Sequence, residues 1–425
     1  MKRLKIGIAG GGFSGLTLGY KLSQKGHQVT VFEKEKRLGG LASSFKVQDW
    51  SWPLDHFYRH VFAKDQDFIQ LVKELGQKDK LIYKRALSSV YFQNEIYPFD
   101  SPQNILRFPG LGKLSKIRMG GCLALFKYLP YSLFYEKFST EKTLPKLMGS
   151  EGYRLIWQPL LSQKFGKHTD KIPLSWFWAR VNSRTTELGY YQKSFSRMAN
   201  LLAKKIIGYK GKVKKNFEIK NIEKKHDRFI LKGNGKTYSF DKIILTCSLA
   251  DSLRMAGSLL VKEKVKYSDL KSLGAAVLVL RLKDKFFPDQ TYWLNILDSS
   301  WPFVAAIEHT NFISPKYYHD EHLAYLAGYY PQDHPIFKMD KEEVLKIFLP
   351  FAKKINRNIE KKIIESHYYY NLEAQPVPVL NYSQKAPKMN TSVKGLYWLT
   401  LHHIYPYDRG VNYAIVYANK LARMV

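Results

Sequence analysis

Residues 5–44 limit the folds open to this chain more than any other stretch, because a glycine-rich turn stands there between two apolar runs. The first run, Ile6 to Ala9, is short and predicts a buried strand. The turn GGGFSG, residues 10–15, follows at once and opens a helical pattern. A second apolar run, Val29 to Phe32, ends on the acid Glu33. Strand, turn, helix, strand and acid stand in the order of a dinucleotide-binding βαβ unit.

Three glycines and one acid in this stretch each have a distinct physical role. Gly10 permits the tight turn from strand to helix, and Gly12 leaves room for a pyrophosphate to approach the positive end of the helix. Gly15 allows the helix to pack closely on the sheet. Glu33 stands 18 residues after Gly15, where an acid accepts hydrogen bonds from ribose hydroxyls. The stretch therefore predicts a bound dinucleotide, and a turn that binds no nucleotide is the alternative.

The residues that follow Glu33 identify the kind of dinucleotide. The run Arg37-Leu-Gly-Gly-Leu-Ala-Ser43 resembles the extended fingerprint of FAD-binding flavoproteins of the amine oxidase and protoporphyrinogen oxidase type. A bare NAD site does not need the second glycine pair. In that family the arginine and the Gly-Gly turn lie along the diphosphate and the ribityl chain. The resemblance implies FAD as the cofactor.

The C-terminal run Asp408-Arg-Gly-Val-Asn412 resembles the second FAD signature of the same family. It opens a predicted helix whose N-terminal amides are free to meet flavin oxygens or the ribityl chain. The resemblance also implies that the Val213 backbone reaches the adenine and that Thr246 to Ser248 lie along the cofactor. The implied FAD-binding residues are Gly10, Gly12, Phe13, Ser14, Gly15, Glu33, Lys34, Arg37, Gly39, Gly40, Leu41, Ala42, Val213, Thr246, Asp408, Gly410, Val411 and Asn412.

The two cysteines, Cys122 and Cys247, offer no disulfide framework and indicate a reducing compartment, so we expect a cytoplasmic protein. Neither cysteine stands near the C-terminus, where a covalent flavin link would need one. We therefore expect the FAD to be bound non-covalently. The sequence contains no spacing typical of metal ligands, so we expect no metal site.

The resemblance covers nearly the whole chain and implies an α/β fold. We expect a Rossmann-like FAD-binding domain of the glutathione-reductase/amine-oxidase type and an interleaved α+β substrate domain with a mixed sheet and a helical cap. The predicted FAD-binding segments are residues 1–80, 205–255 and 391–425. The predicted substrate segments are the helical residues 81–204 and the antiparallel sheet of residues 256–390.

Five side chains are candidates for contact with a substrate. Tyr58 and His60 lie in a segment that, in the family, passes near the flavin ring, where they could supply hydrogen bonds or proton transfer. His309 ends a predicted strand of the second sheet. Arg180 and Arg184 stand four apart on one predicted helical face and suit bidentate contact with a carboxylate or phosphate. Structural roles, including ion pairs with nearby acids, are the alternative for all five.

The excess of positive charge limits the classes of partner that we expect this chain to bind. The chain has 68 Lys and Arg against 36 Asp and Glu, a net charge of +32. This excess suits an anionic substrate or an anionic membrane surface. We expect no nucleic-acid partner, because no RNA-recognition signature or compact basic helix is present. The sequence does not determine the oligomeric state.

The apolar residues 106–138 are predicted to be helical. Within them, Gly121 to Phe138 carries many apolar and aromatic residues but is interrupted by Lys127 and Pro130. It fits either a helix pair of the cap or an interfacial anchor in peripheral contact with a membrane. No segment reaches about 18 uninterrupted apolar residues, so no spanning helix is predicted.

Two enzyme activities fit these features. The resemblance implies an FAD-dependent oxidoreductase that accepts a hydride from a C–N or C–C bond of a small, anionic organic substrate. A weaker resemblance, carried by Lys164-Phe-Gly166 and the paired arginines, is to UDP-galactopyranose mutase, a non-redox nucleotide-sugar enzyme with tryptophan at the place of Phe165. A non-catalytic flavoprotein is the third alternative.

One departure from the family bears on the substrate. After Leu188-Gly-Tyr190 the family usually has a proline and a Gly-Gly pair, whereas this chain has Tyr191-Gln-Lys-Ser-Phe195. We expect the close approach of the backbone near the flavin or the substrate to be altered there.

Overall fold

The computed structural model describes residues 3–425 of the 425-residue chain. Its strands are β1 Lys5–Ala9, β2 Gln28–Phe32, β3 Ser44–Phe45, β4 Leu54–Asp55, β5 Val61–Phe62, β6 Leu81–Arg85, β7 Leu87–Phe92, β8 Glu95–Pro98, β9 Glu187–Tyr191, β10 Lys212–Lys214, β11 Ile219–Lys225, β12 Arg228–Gly233, β13 Lys236–Phe240, β14 Lys242–Leu245, β15 Ser272–Leu282, β16 Thr291–Ile296, β17 Ala305–Glu308, β18 His322–Tyr330, β19 Ile363–Pro376 and β20 Leu396–Trp398. Its helices are α1 Phe13–Gln24, α2 Gln66–Glu74, α3 Pro102–Arg107, α4 Lys113–Tyr128, α5 Thr140–Met148, α6 Ser150–Gly152, α7 Gln158–Phe165, α8 Leu174–Ser183, α9 Ser194–Gly208, α10 Leu249–Ala256, α11 Val261–Lys266, α12 Lys341–Ile355, α13 Ile359–Lys362, α14 Tyr382–Lys385 and α15 Val411–Met424.

A five-stranded parallel sheet, in the order β10-β2-β1-β14-β20, gathers strands from three separate stretches of the chain. The predicted βαβ unit is its centre, because α1 connects β1 to β2. Helix α1 contacts both α9 and α15, so the first and last parts of the chain pack together. Parallel strands end at the same edge, which places the glycine turn, Glu33 and Thr246 side by side. The predicted Rossmann-like fold is confirmed.

The second sheet has seven strands in the order β19-β15-β18-β17-β16-β7-β8. Its strands between residues 256 and 390 pair in antiparallel fashion, whereas β7 pairs with β16 in parallel. The sheet is therefore mixed, as predicted. Alternate side chains of β15 serve two cores: Val277 and Val279 face the core shared with α1, and Leu278 and Leu280 face the core under α12.

The helical cap lies between β8 and β9 and has its own apolar core, built from α3 to α8. The predicted helical character of residues 106–138 holds for α4, but the helix ends at Tyr128 and only a 3-10 turn, Leu133–Lys137, follows. Pro130 accounts for this end, since the residue before a proline is driven out of the helical region, and Leu129 has an extended ψ of 138°. No helix among residues 3–425 has both the length and the apolar character to cross a membrane.

The placement of Arg180 and Arg184 on one helix also needs correction. Helix α8 ends at Ser183, and Arg184 follows it with an extended backbone. The ammonium of Lys127 binds the carbonyls of Val181 and Asn182, and that of Arg184 as well. A cation bound to the free carbonyls of a last turn stabilises a helix end there. The two arginines are near each other, but only Arg180 is helical.

Candidate active site

The glycine turn has the geometry of a nucleotide site. A Cβ placed on Gly15 would lie 2.0 Å from the Gly10 carbonyl oxygen, so only glycine fits at position 15. A Cβ on Gly12 would meet nothing nearer than the Gly40 Cα at 3.9 Å, so the space over Gly12 is open. Gly10 has a φ of +111°, which favours glycine. The turn therefore leaves room for a pyrophosphate at the N-terminus of α1, as FAD requires.

Glu33 is held rigidly beside this turn. Its carboxylate accepts the Gly11 amide at 2.8 Å and the Glu35 amide at 2.9 Å. Burial raises the pKa of Glu33, although the two amides oppose this shift. The fixed orientation suits an acid that accepts hydrogen bonds from a ribose. Lys34, next in the chain, is exposed and lies 3.9 Å from Asp251.

The second glycine turn packs against the first. The Gly39 amide donates to the Gly11 carbonyl at 2.9 Å, and both Gly39 and Gly40 have positive φ angles. Arg59 fixes this turn from the other side, because its guanidinium donates to the Leu41 carbonyl at 2.5 and 3.1 Å. Arg59 is not among the predicted cofactor residues, because no motif marks it between Tyr58 and His60. Ala42 is buried behind the turn.

Two more predicted cofactor residues, Thr246 and Val213, lie near the first glycine turn and Glu33. Thr246 donates its hydroxyl to the Ala9 and Gly10 carbonyls, at 2.9 and 3.1 Å. Strand β10 is an edge strand in which Lys214 accepts the Glu33 amide, so Val213 turns its amide and carbonyl to the open edge. Direct contact of either residue with FAD stays a prediction.

At the C-terminal signature, α15 begins at Val411, and no side chain caps its first turn. Its N-terminal amides are therefore available to an outside acceptor. The Asn412 side chain is used within the fold, since its oxygen accepts the Phe68 amide at 2.9 Å and ties α15 to α2. Gly410 precedes the helix with an extended φ of −170°.

Asp408 is the centre of a charged cluster. Its Oδ2 lies 2.5 Å from the Lys164 Nζ and 3.4 Å from the Arg180 guanidinium. Both cations also lie over the Trp176 ring, at 5.1 and 5.5 Å from its centroid. Burial alone would raise the pKa of Asp408, but Lys164 and Arg180 outweigh burial and lower it to about 2. Lys164 is 6% exposed, so its charge depends on Asp408.

Two tyrosines and Arg409 continue this cluster. Arg409 donates to the Tyr329 hydroxyl at 3.0 Å and to the Ala374 carbonyl at 2.8 Å. Burial would raise the pKa of Tyr329, but Arg409 and Lys164 bring it below its usual value. Burial, followed by the neighbouring Tyr329, raises the pKa of Tyr58. The structure thus brings predicted Tyr58 together with Tyr329 and Lys164, which the sequence analysis did not select for this role.

Arg184 lies beside this cluster. It exposes more than a third of its surface and, among residues 3–425, makes no ion pair. Protein atoms nevertheless surround it, and this desolvation, followed by Arg180, lowers the pKa of its guanidinium to about 9. Arg184 is therefore available to an anion, whereas Arg180 is engaged by Asp408.

The two predicted histidines lie in different surroundings. The His60 Nδ1 is 3.4 Å from the Tyr292 hydroxyl, and burial, then Arg184 and Arg59, lowers the pKa of His60 to about 3. His309 is 3% exposed, and its Nε2 lies 2.8 Å from the Tyr318 hydroxyl. His60 therefore adjoins the charged cluster, whereas His309 belongs to a closed aromatic core.

The buried His309 predicts an acid-sensitive fold. Burial lowers its pKa to about 3, so the unfolded state binds a proton below its ordinary value of 6.5 and the folded state does not. The contribution of His309 to stability is complete above pH 6.5 and is lost as the pH falls towards 3. Between pH 6.5 and pH 5 we expect a loss of about 2 kcal/mol from this residue. The loss of unfolding free energy between these two pH values, measured by urea unfolding, should be larger in wild type than in His309→Gln by this amount. Equal losses in the two proteins would contradict the expectation.

Comparison with known proteins agrees with this geometry. The family model described as flavin containing amine oxidoreductase matches residues 13–391. An uncharacterized protein of Methanocaldococcus jannaschii is 23% identical over 265 residues, 62% of this chain and 64% of that protein. The 15-cis-phytoene desaturase of Synechococcus elongatus is 32% identical over 81 residues, 19% of this chain and 17% of the desaturase. The chain thus spans less than two thirds of the length of these curated relatives.

Solved structures share the whole fold. A protein whose proposed identity is protoporphyrinogen oxidase, from Exiguobacterium sp. 255-15, superposes with a TM-score of 0.79 at 13% identity, covering 100% of this chain and 99% of that one. Cyclohexylamine oxidase from Brevibacterium oxydans gives 0.75 at 13%, covering 100% and 98%. Reduced UDP-galactopyranose mutase gives 0.76 at 15%, covering 99% and 94%. Because the family model covers most of its length, this chain belongs to the family of flavin-containing amine oxidoreductases, and its cofactor is FAD.

Proposed function

We propose that this protein is an FAD-dependent oxidoreductase that takes a hydride from a C–N or C–C bond of a small organic anion. FAD supplies the hydride acceptor. The observation that carries the proposal is the cluster around Asp408, in which one carboxylate is matched with Lys164, Arg180 and Arg409, and Arg184 stands beside them. The surplus of positive charge favours an anionic group at this place.

Arg184 is the residue that we propose binds this group. A guanidinium is planar and binds a carboxylate or phosphate through two parallel hydrogen bonds. Because Arg180 is already engaged by Asp408, it positions the cluster and leaves Arg184 to the substrate. The partial desolvation of Arg184 strengthens such a bond relative to one in water.

For proton handling we propose the hydroxyls of Tyr58 and Tyr329. Arg409 donates to the Tyr329 oxygen and favours its ionised form, so Tyr329 can accept a proton at its phenolic oxygen. His60 adjoins the cluster and is neutral at ordinary pH, so it offers a hydrogen bond rather than a charge. The closed surroundings of His309 favour a structural role.

We also propose that the two glycine turns, Glu33 and the N-terminus of α15 hold the FAD non-covalently. In this proposal the FAD-binding domain consists of residues 1–80, 205–255 and 391–425, which supply all five strands of the parallel sheet. The cap and the mixed sheet would then enclose the substrate.

Arg184→Ala should raise the KM of an anionic substrate about tenfold or more, because a hydrogen bond to a charged group contributes roughly 1.5–3 kcal/mol. The substrate is first chosen by screening carboxylates and phosphates for anaerobic bleaching of the flavin. FAD content should not change. Arg357→Ala removes an exposed arginine elsewhere and is the control. An unchanged KM in Arg184→Ala would show that Arg184 does not bind the substrate.

A nucleotide-sugar mutase is the second candidate function. The surplus of cations around Asp408 also suits a diphosphate, and the fold matches that of reduced UDP-galactopyranose mutase. The two functions differ in redox balance. An oxidoreductase bleaches one flavin for each substrate oxidised under anaerobic conditions, whereas a mutase interconverts UDP-galactose forms with no net change in the reduced flavin.

We further propose a peripheral contact between the cap and the inner, cytoplasmic face of an anionic membrane. The end of α4 and the 3-10 turn after it expose Leu125, Tyr128, Leu133 and Phe134 by 51, 85, 62 and 59%. Lys137, which is exposed, lies beside them. Apolar side chains beside cations suit the interface of an anionic bilayer. Sedimentation with phosphatidylglycerol vesicles tests this contact.

A further inference from the structure

A basic groove lies next to the segment that carries the second glycine turn, because residues on both sides of that turn in the chain line it. Its volume is about 910 Å³. The exposed face of α9 forms one wall, and residues 36–38 and 44–46 form the other. The cations in it are Lys36, Arg37 and Lys46 from one wall, Lys193, Arg197 and Lys204 from the other, and Lys215. No residue of the turn 10–15 or of the run 408–412 lines the groove.

The charge of this groove exceeds what the composition of the chain explains. Seven of its fifteen lining residues are Lys or Arg and none is acidic, whereas the whole chain has 68 basic and 36 acidic residues in 425. Among residues 3–425, none of the seven makes an ion pair. Asp79, which lies near Arg197, is paired with Lys80. Seven cations without ion pairs in one concavity create a positive potential that attracts anions.

The backbone at Lys193 supports a binding role for the groove. Lys193 and Ser194, at the start of α9, have φ angles of +63° and +69°. The left-handed region is unfavourable for residues with a Cβ and costs nothing at glycine. The Ser194 hydroxyl donates to the Ser44 hydroxyl at 3.2 Å, and the Ser44 hydroxyl donates to that of Ser196 at 2.7 Å, so these bonds hold the strained start in place. The chain thus keeps a lysine where glycine would fit with less strain, and that lysine lines the groove.

We propose that the groove binds a ligand with two or more phosphate groups, at a site separate from the FAD. Its volume matches that of small-molecule sites, and a polyphosphate can contact cations on both walls at once. The side chains of Ser196, Asn200 and Gln77 also line it and can bond phosphate oxygens. Of the predicted FAD-binding residues only Arg37 lies in it, and the Arg37 guanidinium is 3.2 Å from the His56 ring nitrogen. The proposal does not depend on the reaction that the flavin performs.

The test is calorimetric titration of the FAD-loaded protein with sodium tripolyphosphate at low salt. Arg197→Ala/Lys204→Ala should weaken binding about tenfold or more, and rising salt should weaken wild-type binding. The control, Lys236→Ala/Lys346→Ala, has the same net charge and removes two exposed lysines outside the groove. It should bind like wild type. Equal losses in both variants, release of FAD by tripolyphosphate, or no binding by wild type would each overturn the proposal.

A second variant keeps the test independent of folding. Lys193→Gly removes a charge from the groove and relieves the strained backbone, so its thermal midpoint should stay the same or rise, by about 1–2 °C, while tripolyphosphate binding weakens about threefold. Unchanged affinity in this variant would contradict the proposal. Competition with phosphatidylglycerol vesicles distinguishes the two sources of phosphate. Displacement of tripolyphosphate by vesicles assigns the groove to lipid headgroups, and retention assigns it to a soluble phosphorylated ligand.

Discussion

Gly12→Val is expected to lower FAD affinity at least about 100-fold and to leave the fold intact, a loss of about 2.7 kcal/mol or more. The physical reason lies in the two turns. A Cβ at Gly12 meets nothing nearer than the Gly40 Cα at 3.9 Å, so we expect the chain to fold with a side chain there. The same side chain would occupy the space through which a pyrophosphate reaches the N-terminus of α1. The measurement is the FAD content of the purified variant, with circular dichroism as the test of folding.

The choice of glycine makes this experiment sharp. Gly15→Ala would force a Cβ to within 2.0 Å of a carbonyl oxygen and would damage the fold itself. Gly120→Val is the matched control, because a Cβ on Gly120 meets nothing within 4 Å, and Gly120 lies in the cap. The control should retain its FAD. A folded Gly12→Val protein that remains yellow and fully loaded would contradict the assigned path of the pyrophosphate.

Lys164→Met is expected to destabilise the protein by roughly 2–4 kcal/mol, because it leaves Asp408 without its nearest cation. Arg180 still lies 3.4 Å from the carboxylate, which keeps the loss below that of a fully unpaired charge. Methionine retains most of the lysine volume, so a cavity does not explain the effect. The measurement is the urea midpoint at neutral pH.

Asp408→Asn in the Lys164→Met background serves as the control. It removes the unpaired charge and should recover part of the lost stability. The direction of the pH dependence at acid pH follows from the pKa of Asp408. Neighbouring cations hold the pKa of Asp408 at about 2, below its ordinary 3.8, so its contribution is present above pH 3.8 and is lost as the pH falls towards 2. Wild-type stability in Lys164→Met would show that the arginines alone neutralise Asp408.

The nucleotide-binding unit could be predicted because its constraints are local. Gly10 needs a positive φ, Gly15 excludes any side chain, and both facts are visible in six consecutive residues. Helix α12 rests on local features of the same kind. Its apolar residues recur with a helical period, and the capping box of Asp340 and Glu343 marks its start. In each case the sequence pattern and the final packing agree without help from distant parts of the chain.

The mixed sheet and the charged cluster depend on distant contacts that no local pattern encodes. Strand β7 pairs in parallel with β16, about 200 residues later, and that pairing rests on closure of the whole domain. The cluster likewise joins Lys164 of α7, Arg180 of α8, Tyr329 of β18 and Asp408 before α15. In the sequence, the run Lys164-Phe-Gly was only a weak indication of the cluster, and no pattern marked Tyr329. Arg184 lies outside the predicted helix because α8 ends at Ser183, where Lys127 binds the carbonyls of Asn182 and Arg184.

The most direct test of the central claim is the visible absorption spectrum of the purified protein, recorded as isolated, after incubation with FAD and gel filtration, and after anaerobic addition of small carboxylates and phosphates. We expect flavin bands that survive gel filtration, are lost from the protein on acid precipitation because the proposed binding of FAD is non-covalent, and bleach with an anionic substrate. A protein that shows no flavin bands even after FAD is supplied would contradict it.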